Sequence, residues 1–571
     1  ESRTDGHWFW GVMRRSWRIY RDVLLASLLI NLFALANPLF VMNVYDRVVP
    51  NEALETLWVL AIGVLVVYGF DLLLKTLRSY FIEVAGKKSD VLLSALIFER
   101  VLGSRLADRP ASVGAFASQL REFETVRNFI TSSTVTAFVD LPFLFLFLLV
   151  IGYVGGSIIW APLAAIPLIL GYAWLLQAPL RRSVEQTFQA SAQKNATLVE
   201  SLTGLETVKA MGAEGRLQRV WEKSVGHLAR WGQRTRLLSN SASSVTAAIQ
   251  QVTSVVVVII GVYLIADREL TIGALIACVM LTSRALAPMG QVAGLLVNYH
   301  QTRTALDSLD QIMQRPQERP EDQVFVQRPT FKGALQFDKV SFAYPNEPQN
   351  SLDSISFSIK PGERVGIIGR IGSGKTTLQK LLLGLYQPTN GAVLIDGIDS
   401  RQIDPADLRG NIGYVPQDVM LFYGSIKDNI AYGTPHASDA AIVEAADIAG
   451  VSEFVDSHPQ GFQRAVGERG EALSGGQRQS IAVARALLKK PPVYLMDEPT
   501  TAMDQATEER LKQQLTETTA GKTLVLITHK TSLLTLVDRL LVLDRGKLVA
   551  DGPKVAVLDA LKKGQLRVST S

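Results

Sequence analysis

Six apolar stretches occupy the first half of the chain, and each is long enough, at about 20 residues, to cross the ~30 Å hydrocarbon core of a bilayer. One such stretch alone would also fit a buried helix of a soluble protein. Six of them, with no charged residue between 143 and 158, predict a membrane domain instead. We place the spans at 22–43, 56–76, 131–152, 157–177, 246–266 and 272–296.

The connections between these spans alternate in length and charge. The short turns 46–55, 155–157 and 267–271 hold two basic residues between them, whereas the long connections 77–130 and 178–245 hold eighteen. The positive-inside rule therefore places both long connections, and both chain termini, in the cytosol. Their apolar residues recur at three- and four-residue spacing, which predicts helices that extend below the membrane.

The polar and mixed segments divide the rest of the chain. Aromatic and Arg residues alternate before the first span, which predicts an amphipathic helix at the membrane interface over 1–22. A signal peptide is the alternative, but the following span is too long for one. The membrane domain then covers 23–315, and a polar, proline-punctuated run predicts a linker over 316–334. From 335 to 571, short β-rich runs alternate with helical stretches, as in an α/β domain with a mainly parallel sheet.

Composition supports a membrane protein with a water-soluble half. Of the 571 residues, 48% are hydrophobic and 19% are charged, whereas about 25% charged residues are usual in soluble proteins. The net charge of +5 is small for this length and predicts no nucleic-acid partner. The only cysteine, Cys278, excludes an intrachain disulfide and a Cys-based metal cluster.

The second half of the chain contains a phosphate-binding loop. GRIGSGKT at 369–376 matches G-x-x-x-x-G-K-[ST] and lies between a predicted strand and a predicted helix. Its glycines let backbone N–H groups surround phosphates, Lys375 reaches the β- and γ-phosphates, and Thr376 offers a hydroxyl to Mg²⁺. We expect ATP to be held by Gly369, Arg370, Ile371, Gly372, Ser373, Gly374, Lys375, Thr376 and Thr377.

An acidic pair follows a second predicted strand, 493–496. Asp497 can hold Mg²⁺ directly or through water, and Glu498 can orient or deprotonate the attacking water, because phosphoryl transfer needs positioning and charge neutralisation. Such a pair is common in surface turns, but following a phosphate-binding loop it predicts a nucleotide hydrolase.

LSGGQ at 473–477 matches a family signature, and the ordered set of motifs resembles that of ABC exporters. The signature precedes a predicted helix, whose N-terminus carries partial positive charge. The resemblance implies that this segment faces the γ-phosphate bound to the opposite subunit. Its residues are Ser474, Gly475, Gly476 and Gln477.

The same resemblance implies roles for single residues. Tyr344 would stack on adenine, and Gln417 would contact Mg²⁺ and couple the γ-phosphate to the membrane domain. Asp504 would lie at the dimer interface, and His529 would be the switch histidine. Glu498, His529 and Gln417 are thus the predicted catalytic residues. Alone, Tyr344 would fit a core position equally well, and a single His529 would more often be structural.

One phosphate-binding loop and one signature per chain imply two composite ATP sites made by two chains. Six spans imply the same, since exporters of this kind use twelve. The resemblance therefore implies a homodimer with a membrane α-helical bundle followed by an α/β nucleotide-binding domain, and with ATP and Mg²⁺ as ligands.

Within the exporters, the chain resembles the ABC proteins of type I secretion systems. The matching segments are 34–40, 45–50, 140–142, 284–288 and 417–422. The resemblance implies a bacterial inner-membrane exporter of a protein, such as a large RTX-type adhesin or toxin, working with a periplasmic adaptor and an outer-membrane channel. A lipid or drug exporter is the alternative. A non-transporting regulatory ABC protein fits less well, because the catalytic motifs are intact.

Charged residues within the spans predict further features, because charge in a membrane is costly. A rise of 1.5 Å per residue puts Asp140 and Arg284 at similar depths in a ~30 Å core. We therefore expect these two residues to form an ion pair, with lining of a polar conduit as the alternative. Cys278 is expected to pack inertly, so the chain should not cleave its cargo. Any segment preceding Glu1 would be a non-catalytic docking domain.

Overall fold

The chain forms two compact units in a computed structural model, which describes residues 8–15, 17–108, 112–131, 139–320 and 322–563. The first unit comprises Glu1–Leu102 and Pro110–Arg315, and the second comprises Gly103–Arg109 and Pro316–Ser571. The short segment after residue 102 joins the second unit because the backbone N–H of Glu318 donates to the carbonyl oxygen of Gly103 at 2.8 Å.

The first unit is helical throughout the part that the structure describes. The helix Glu214–Ala266 packs along Trp160–Thr203, Trp17–Phe33 packs along Leu54–Leu102, and Leu144–Gly155 packs along Ile272–Leu286. The helices are α1 Trp8–Arg15, α2 Trp17–Phe33, α3 Ala36–Asn43, α4 Leu54–Leu102, α5 Val113–Arg121, α6 Phe123–Thr131, α7 Leu144–Gly155, α8 Trp160–Thr203, α9 Leu205–Ala210, α10 Glu214–Ala266, α11 Ile272–Leu286 and α12 Val292–Met313.

Five helical runs in the described residues are long and apolar enough to cross a membrane. The runs are Trp17–Val48, Leu54–Leu102, Leu141–Thr203, Glu214–Ala266 and Ile272–Met313. Our prediction of six spans divides the third run, and the helix is indeed interrupted there, since Gly156 adopts φ +54°. Leu144 and Leu148 before this glycine share a buried cluster with Ala165 and Ile169 after it. This clustering shows that the chain reverses at Gly156, although residues 132–138 of the predicted third span lie outside the described part.

Three helices are much longer than a membrane is thick. Helices α4, α8 and α10 contain 49, 44 and 53 residues, or about 74, 66 and 80 Å at 1.5 Å per residue. A hydrocarbon core of ~30 Å takes up less than half of each helix. The predicted helical extensions are therefore present.

The described part of the predicted interfacial segment 1–22 is helical and comprises α1 and the start of α2. Phe9 is buried in a cluster with Leu93, Ile97 and Leu309. This aromatic side chain thus packs against α4 and α12 instead of facing lipid headgroups.

Asp140 pairs with Arg78, so our prediction of an Asp140–Arg284 ion pair is wrong. The Nη1 of Arg78 donates to the Asp140 carboxylate at 3.0 Å, and Asn31 donates to the same oxygen at 3.2 Å. The apolar-run rule ends the second span at residue 76 and so omits Arg78, whereas α4 continues unbroken past it. Asp140 and Arg284 nevertheless border one cavity of about 310 Å³.

The second unit contains two sheets. Their strands are β1 Leu335–Phe342, β2 Leu352–Ile359, β3 Arg364–Gly369, β4 Asn390–Ile395, β5 Ile398–Asp399, β6 Ile412–Val415, β7 Val493–Asp497, β8 Thr523–Ile527, β9 Arg539–Asp544 and β10 Lys547–Pro553. One sheet is antiparallel with the order β2-β1-β4-β5, and the other has the order β10-β9-β3-β8-β7-β6, in which only β10 runs antiparallel.

Helices connect these strands and enclose two buried apolar clusters. They are α13 Lys375–Leu382, α14 Pro405–Gly410, α15 Ile426–Ile430, α16 Asp439–Ile448, α17 Ser452–Asp456, α18 Gly475–Leu488, α19 Gln505–Thr518 and α20 Lys554–Lys562.

The segment 316–334, expected to be a linker, packs against the second unit. Glu318 accepts two hydrogen bonds from the Arg409 guanidinium at 2.8 and 2.9 Å, and Phe331 is 7% exposed. Its prolines end helix α12, but the chain then follows the surface of the α/β unit.

Candidate nucleotide site

Residues predicted to bind and hydrolyse ATP lie at the ends of three adjacent parallel strands, at one edge of the larger sheet. The phosphate-binding loop follows β3, Asp497 ends β7, and His529 follows β8, which lies between them. The carboxyl ends of parallel strands meet at one edge, where α/β proteins bind their ligands. The strand order therefore explains why residues more than 100 positions apart come together.

A cavity of about 840 Å³ opens at this edge. It is bordered by twelve of the residues predicted to act on the nucleotide: Tyr344, Ile371, Gly372, Ser373, Gly374, Lys375, Thr376, Thr377, Gln417, Asp497, Glu498 and His529. The sequence motifs thus converge on one space within a single chain.

The backbone of the phosphate-binding loop is shaped by its glycines. Gly374 adopts φ +101°, and a Cβ atom on Gly369 would lie 2.3 Å from the carbonyl oxygen of Leu543. Gly369 and Arg370 do not border the cavity. Their carbonyl oxygens instead accept hydrogen bonds from the Lys375 ammonium at 2.6 and 2.8 Å.

The loop presents groups that suit a phosphate. Ser373 is buried, and its hydroxyl has no hydrogen-bond partner among the described residues, although it borders the cavity. Burial lowers the pKa of Lys375, while the carboxylates of Asp497 and Glu498 act in the opposite direction. An ammonium that is partly desolvated interacts strongly with an anion, and buried polar atoms without partners are rare in folded proteins. Both features fit nucleotide phosphates.

The acidic pair is buried at the inner end of the cavity. Burial raises the pKa of Asp497, and the neighbouring charge of Glu498 raises it further. The Glu498 carboxylate is held in place, because it accepts the backbone N–H of His529 at 2.7 Å and the Thr501 hydroxyl at 3.2 Å. Glu498 also adopts φ +47°, a left-handed conformation that is strained for any residue except glycine.

Tyr344 stands at the opposite side of the phosphate-binding helix. Its hydroxyl lies 3.2 Å from that of Thr377, and the Lys380 ammonium lies 5.2 Å from the centre of its ring. The ring is partly exposed and borders the cavity, so it is available to stack on a flat ligand.

The signature segment does not border this cavity, and neither does Asp504. Ser474 caps α18 in a capping box, in which Ser474 and Gln477 exchange side-chain and backbone hydrogen bonds of 3.3 and 3.0 Å. A Cβ atom on Gly476 would lie 2.8 Å from the carbonyl oxygen of Ala502. The glycines of the signature are therefore also required for close packing within the chain. Asp504 caps α19 by accepting the Thr507 N–H at 2.9 Å.

Sequence reasoning missed Gln479, which joins the signature helix to the acidic strand. Its side chain is 3% exposed. It donates to the carbonyl oxygen of Glu498 at 2.6 Å and accepts the N–H of Ala502 at 2.9 Å. The sequence signal that could have found it is a polar residue at a position of α18 whose neighbours on the same helix face are apolar.

Several residues that border the cavity lie in polar turns with no recognisable pattern, and we did not predict them. They are Glu347, Gln349, Asn350, Ser351, Arg545 and Gly546.

Two family profiles and several known proteins match this chain. The profile described as "ABC transporter" matches residues 352–501, and "ABC transporter transmembrane region" matches 23–289. The toxin RTX-I translocation ATP-binding protein of Actinobacillus pleuropneumoniae is 33% identical over 96% of this chain and 78% of its own. The cyclolysin secretion/processing ATP-binding protein CyaB of Bordetella pertussis is 34% identical over 99% and 80%.

A solved structure supports the same architecture. The structure of a bacterial Atm1-family ABC exporter with ATP bound superposes with a TM-score of 0.84 at 26% sequence identity. The match covers 97% of this chain and 98% of the other. The similarity therefore extends over both units.

Proposed function

Because the chain belongs to the ABC transporter family, we propose that it exports a protein across the bacterial inner membrane as the ABC component of a type I secretion system. It is a multi-pass membrane protein and an ATPase coupled to transport. The observation that carries the proposal is the similarity to toxin translocation and secretion proteins over 96–99% of the chain. A large RTX-type adhesin or toxin is the proposed class of cargo.

The proposed chemistry is hydrolysis of ATP in the cavity at the sheet edge. Glu498 would orient the attacking water and take its proton, since its carboxylate is fixed by the His529 backbone and the Thr501 hydroxyl. Lys375 would leave its two carbonyl partners for the β- and γ-phosphates. Tyr344 would stack on adenine, and His529 would contact the γ-phosphate.

The proposed metal is Mg²⁺, which prefers hard oxygen ligands. Thr376, Gln417 and Asp497 each offer one such oxygen and border the same cavity. Bound there, Mg²⁺ would neutralise phosphate charge. Gln417 would also sense the γ-phosphate, and its position would then couple the presence of ATP to the membrane domain.

The proposed assembly is a homodimer with two composite sites. The signature residues lie outside the cavity of their own chain, on the N-terminus of α18. The first N–H groups of a helix have no partner within it, so this end suits an anion. We assign it to the γ-phosphate bound by the second copy.

The proposed topology places the nucleotide-binding domain in the cytosol. It follows from the basic residues of the long connections. In this assignment 1–22 precedes the membrane domain, 23–315 forms it, 316–334 connects it and 335–571 forms the ATPase. A periplasmic adaptor and an outer-membrane channel would continue the path of the cargo.

Copurification of partner proteins from cells tests the export function. The Glu498→Gln chain should bind ATP without turnover and so accumulate with its partners. We expect gentle extraction to recover a periplasm-spanning adaptor with it, and to recover less with Lys375→Ala, which should not bind ATP. Purified chain that moves lipids between leaflets in vesicles, with no adaptor recovered from cells, would instead establish the lipid exporter.

A further inference from the structure

A large cavity lies between α8 and α12 in the first unit. Its volume is about 840 Å³, and it is separate from the cavity that contains Asp140. Aromatic and basic side chains line it, among them Trp174, Arg181, Arg182, Tyr299, His300 and Arg303. Nothing in the proposed ATPase chemistry or in the composite sites uses it.

The cavity carries uncompensated positive charge. Arg181 is neutralised by Glu185, whose carboxylate accepts its Nε–H at 2.8 Å. Arg182 and Arg303 form no ion pair with any residue that the structure describes. Among the described residues, Arg303 donates only to the hydroxyl of Tyr299, at 3.3 Å. Two guanidinium groups are therefore available to one ligand.

A buried imidazole at the cavity also lacks a partner. His300 is 6% exposed and borders the cavity. Its Nε2 makes no hydrogen bond within the described parts of the chain. Buried side-chain nitrogens almost always have a partner, so an acceptor bound in the cavity would satisfy this atom. In the tautomer protonated at Nε2, it donates to an acceptor in the cavity.

The position of the cavity along the predicted spans favours an amphiphilic ligand. Arg181 and His300 each lie four residues, or about 6 Å, beyond the ends of the spans predicted at 177 and 296. These span ends put the cavity at the level of the lipid headgroups, where Trp and Tyr side chains concentrate. Trp174 and Leu175, one to two turns nearer the membrane centre, are 72% and 66% exposed and offer an apolar surface beside the charged one.

We propose that this cavity binds the phosphodiester headgroup of an acidic phospholipid. Arg182 and Arg303 hold the phosphate oxygens through charge-assisted hydrogen bonds, and His300 donates to the same group. The acyl chains lie along Trp174 and Leu175. Basic pockets between membrane helices recognise acidic headgroups in this way. A free phosphate shares the headgroup chemistry but leaves the apolar surface uncovered.

Native mass spectrometry of the full chain, released from nanodiscs, tests the proposal. The discs contain phosphatidylcholine with a small fraction of phosphatidylglycerol, and the count of retained phosphatidylglycerol molecules is the readout. The test variant is Arg182→Gln/Arg303→Gln. The matched control is Arg219→Gln/Arg230→Gln, which removes the same charge from exposed positions on α10.

We expect the wild type and the control to retain phosphatidylglycerol and the test variant to retain at least about tenfold less, as the loss of two basic contacts implies. Equal retention by all three chains would overturn the site. Displacement of the lipid by millimolar inorganic phosphate would overturn the lipid assignment in favour of a free anion. If the test variant aggregates, His300→Leu keeps both arginines, and retention unchanged in that variant would also overturn the proposal.

Discussion

Replacing Gln479 by leucine should disable hydrolysis without touching the nucleotide. The two hydrogen bonds of this buried side chain, at 2.6 and 2.9 Å, hold the backbone of Glu498 and Ala502. Leucine has a similar volume but leaves a carbonyl oxygen and an N–H group without partners. A buried polar group left in this state costs about 1–3 kcal/mol. The local segment should therefore lose roughly 3 kcal/mol of stability.

The same substitution releases strain at Glu498. A left-handed conformation such as its φ of +47° persists only where neighbouring groups enforce it, at about 1–3 kcal/mol. Without Gln479, the backbone can relax and move the carboxylate. A misplacement of about 1 Å is enough to slow an enzyme by about 100-fold. The KM for ATP should stay within about threefold, because Gln479 does not border the nucleotide cavity.

Two measurements on the full chain check this reasoning. Steady-state hydrolysis should show the fall in kcat at nearly constant KM. Hydrogen exchange at the Ala502 amide should accelerate by roughly 100-fold, since about 1.4 kcal/mol corresponds to tenfold in the opening equilibrium. Gln513→Leu, at an exposed position on α19, is the control and should change neither. Normal turnover together with normal exchange in Gln479→Leu would refute the role assigned to this side chain.

Three further predictions concern catalysis, assembly and the membrane domain. Glu498→Gln should bind ATP normally and lower kcat by about 10²–10⁴-fold, the usual contribution of a general base; near-normal hydrolysis would contradict its role. Lys375→Ala and Ser474→Arg chains, each inactive alone, should recover activity in verified mixed dimers, because one intact composite site is rebuilt; no recovery would contradict shared sites. Arg78→Gln and Asp140→Asn should each lower the thermal unfolding temperature in detergent more than the double variant does, because each leaves a polar group unpaired; additive effects would contradict the pairing.

The motifs at the nucleotide cavity were predictable because each is local in sequence. A glycine-rich turn between a strand and a helix, and two acids at a strand end, carry their geometry within a few residues. The order of parallel strands then brings 371–377, 497–498 and His529 together. The role of Gln479 was not predicted because its hydrogen-bond partners are backbone groups. Every residue has these groups, so the sequence does not distinguish them.

The membrane domain shows why charge placement was harder to predict. A window of apolar residues ends at the first cluster of polar ones, so Arg78 was assigned to a cytosolic connection. In the structure α4 runs from 54 to 102, and Arg78 reaches back to Asp140. The depth arithmetic put Asp140 and Arg284 at similar depths, and in the structure both border one cavity. It could not say which basic residue would face the carboxylate, because that depends on how the helices are rotated about their axes.

The contacts of Gln479 have a consequence for the homodimer that we propose. In that proposed dimer, the signature at the start of α18 would contact the ATP of the partner, while Glu498 would act on the ATP of its own chain. Two hydrogen bonds from one side chain connect these elements, and Gly476 packs against Ala502 with no room for a side chain. If the signature helix shifts on contact with the partner's nucleotide, we therefore expect the backbone of Glu498 to move with it. Exchange at the Ala502 amide should slow when ATP closes the dimer, and an unchanged rate would show that the two sites act independently.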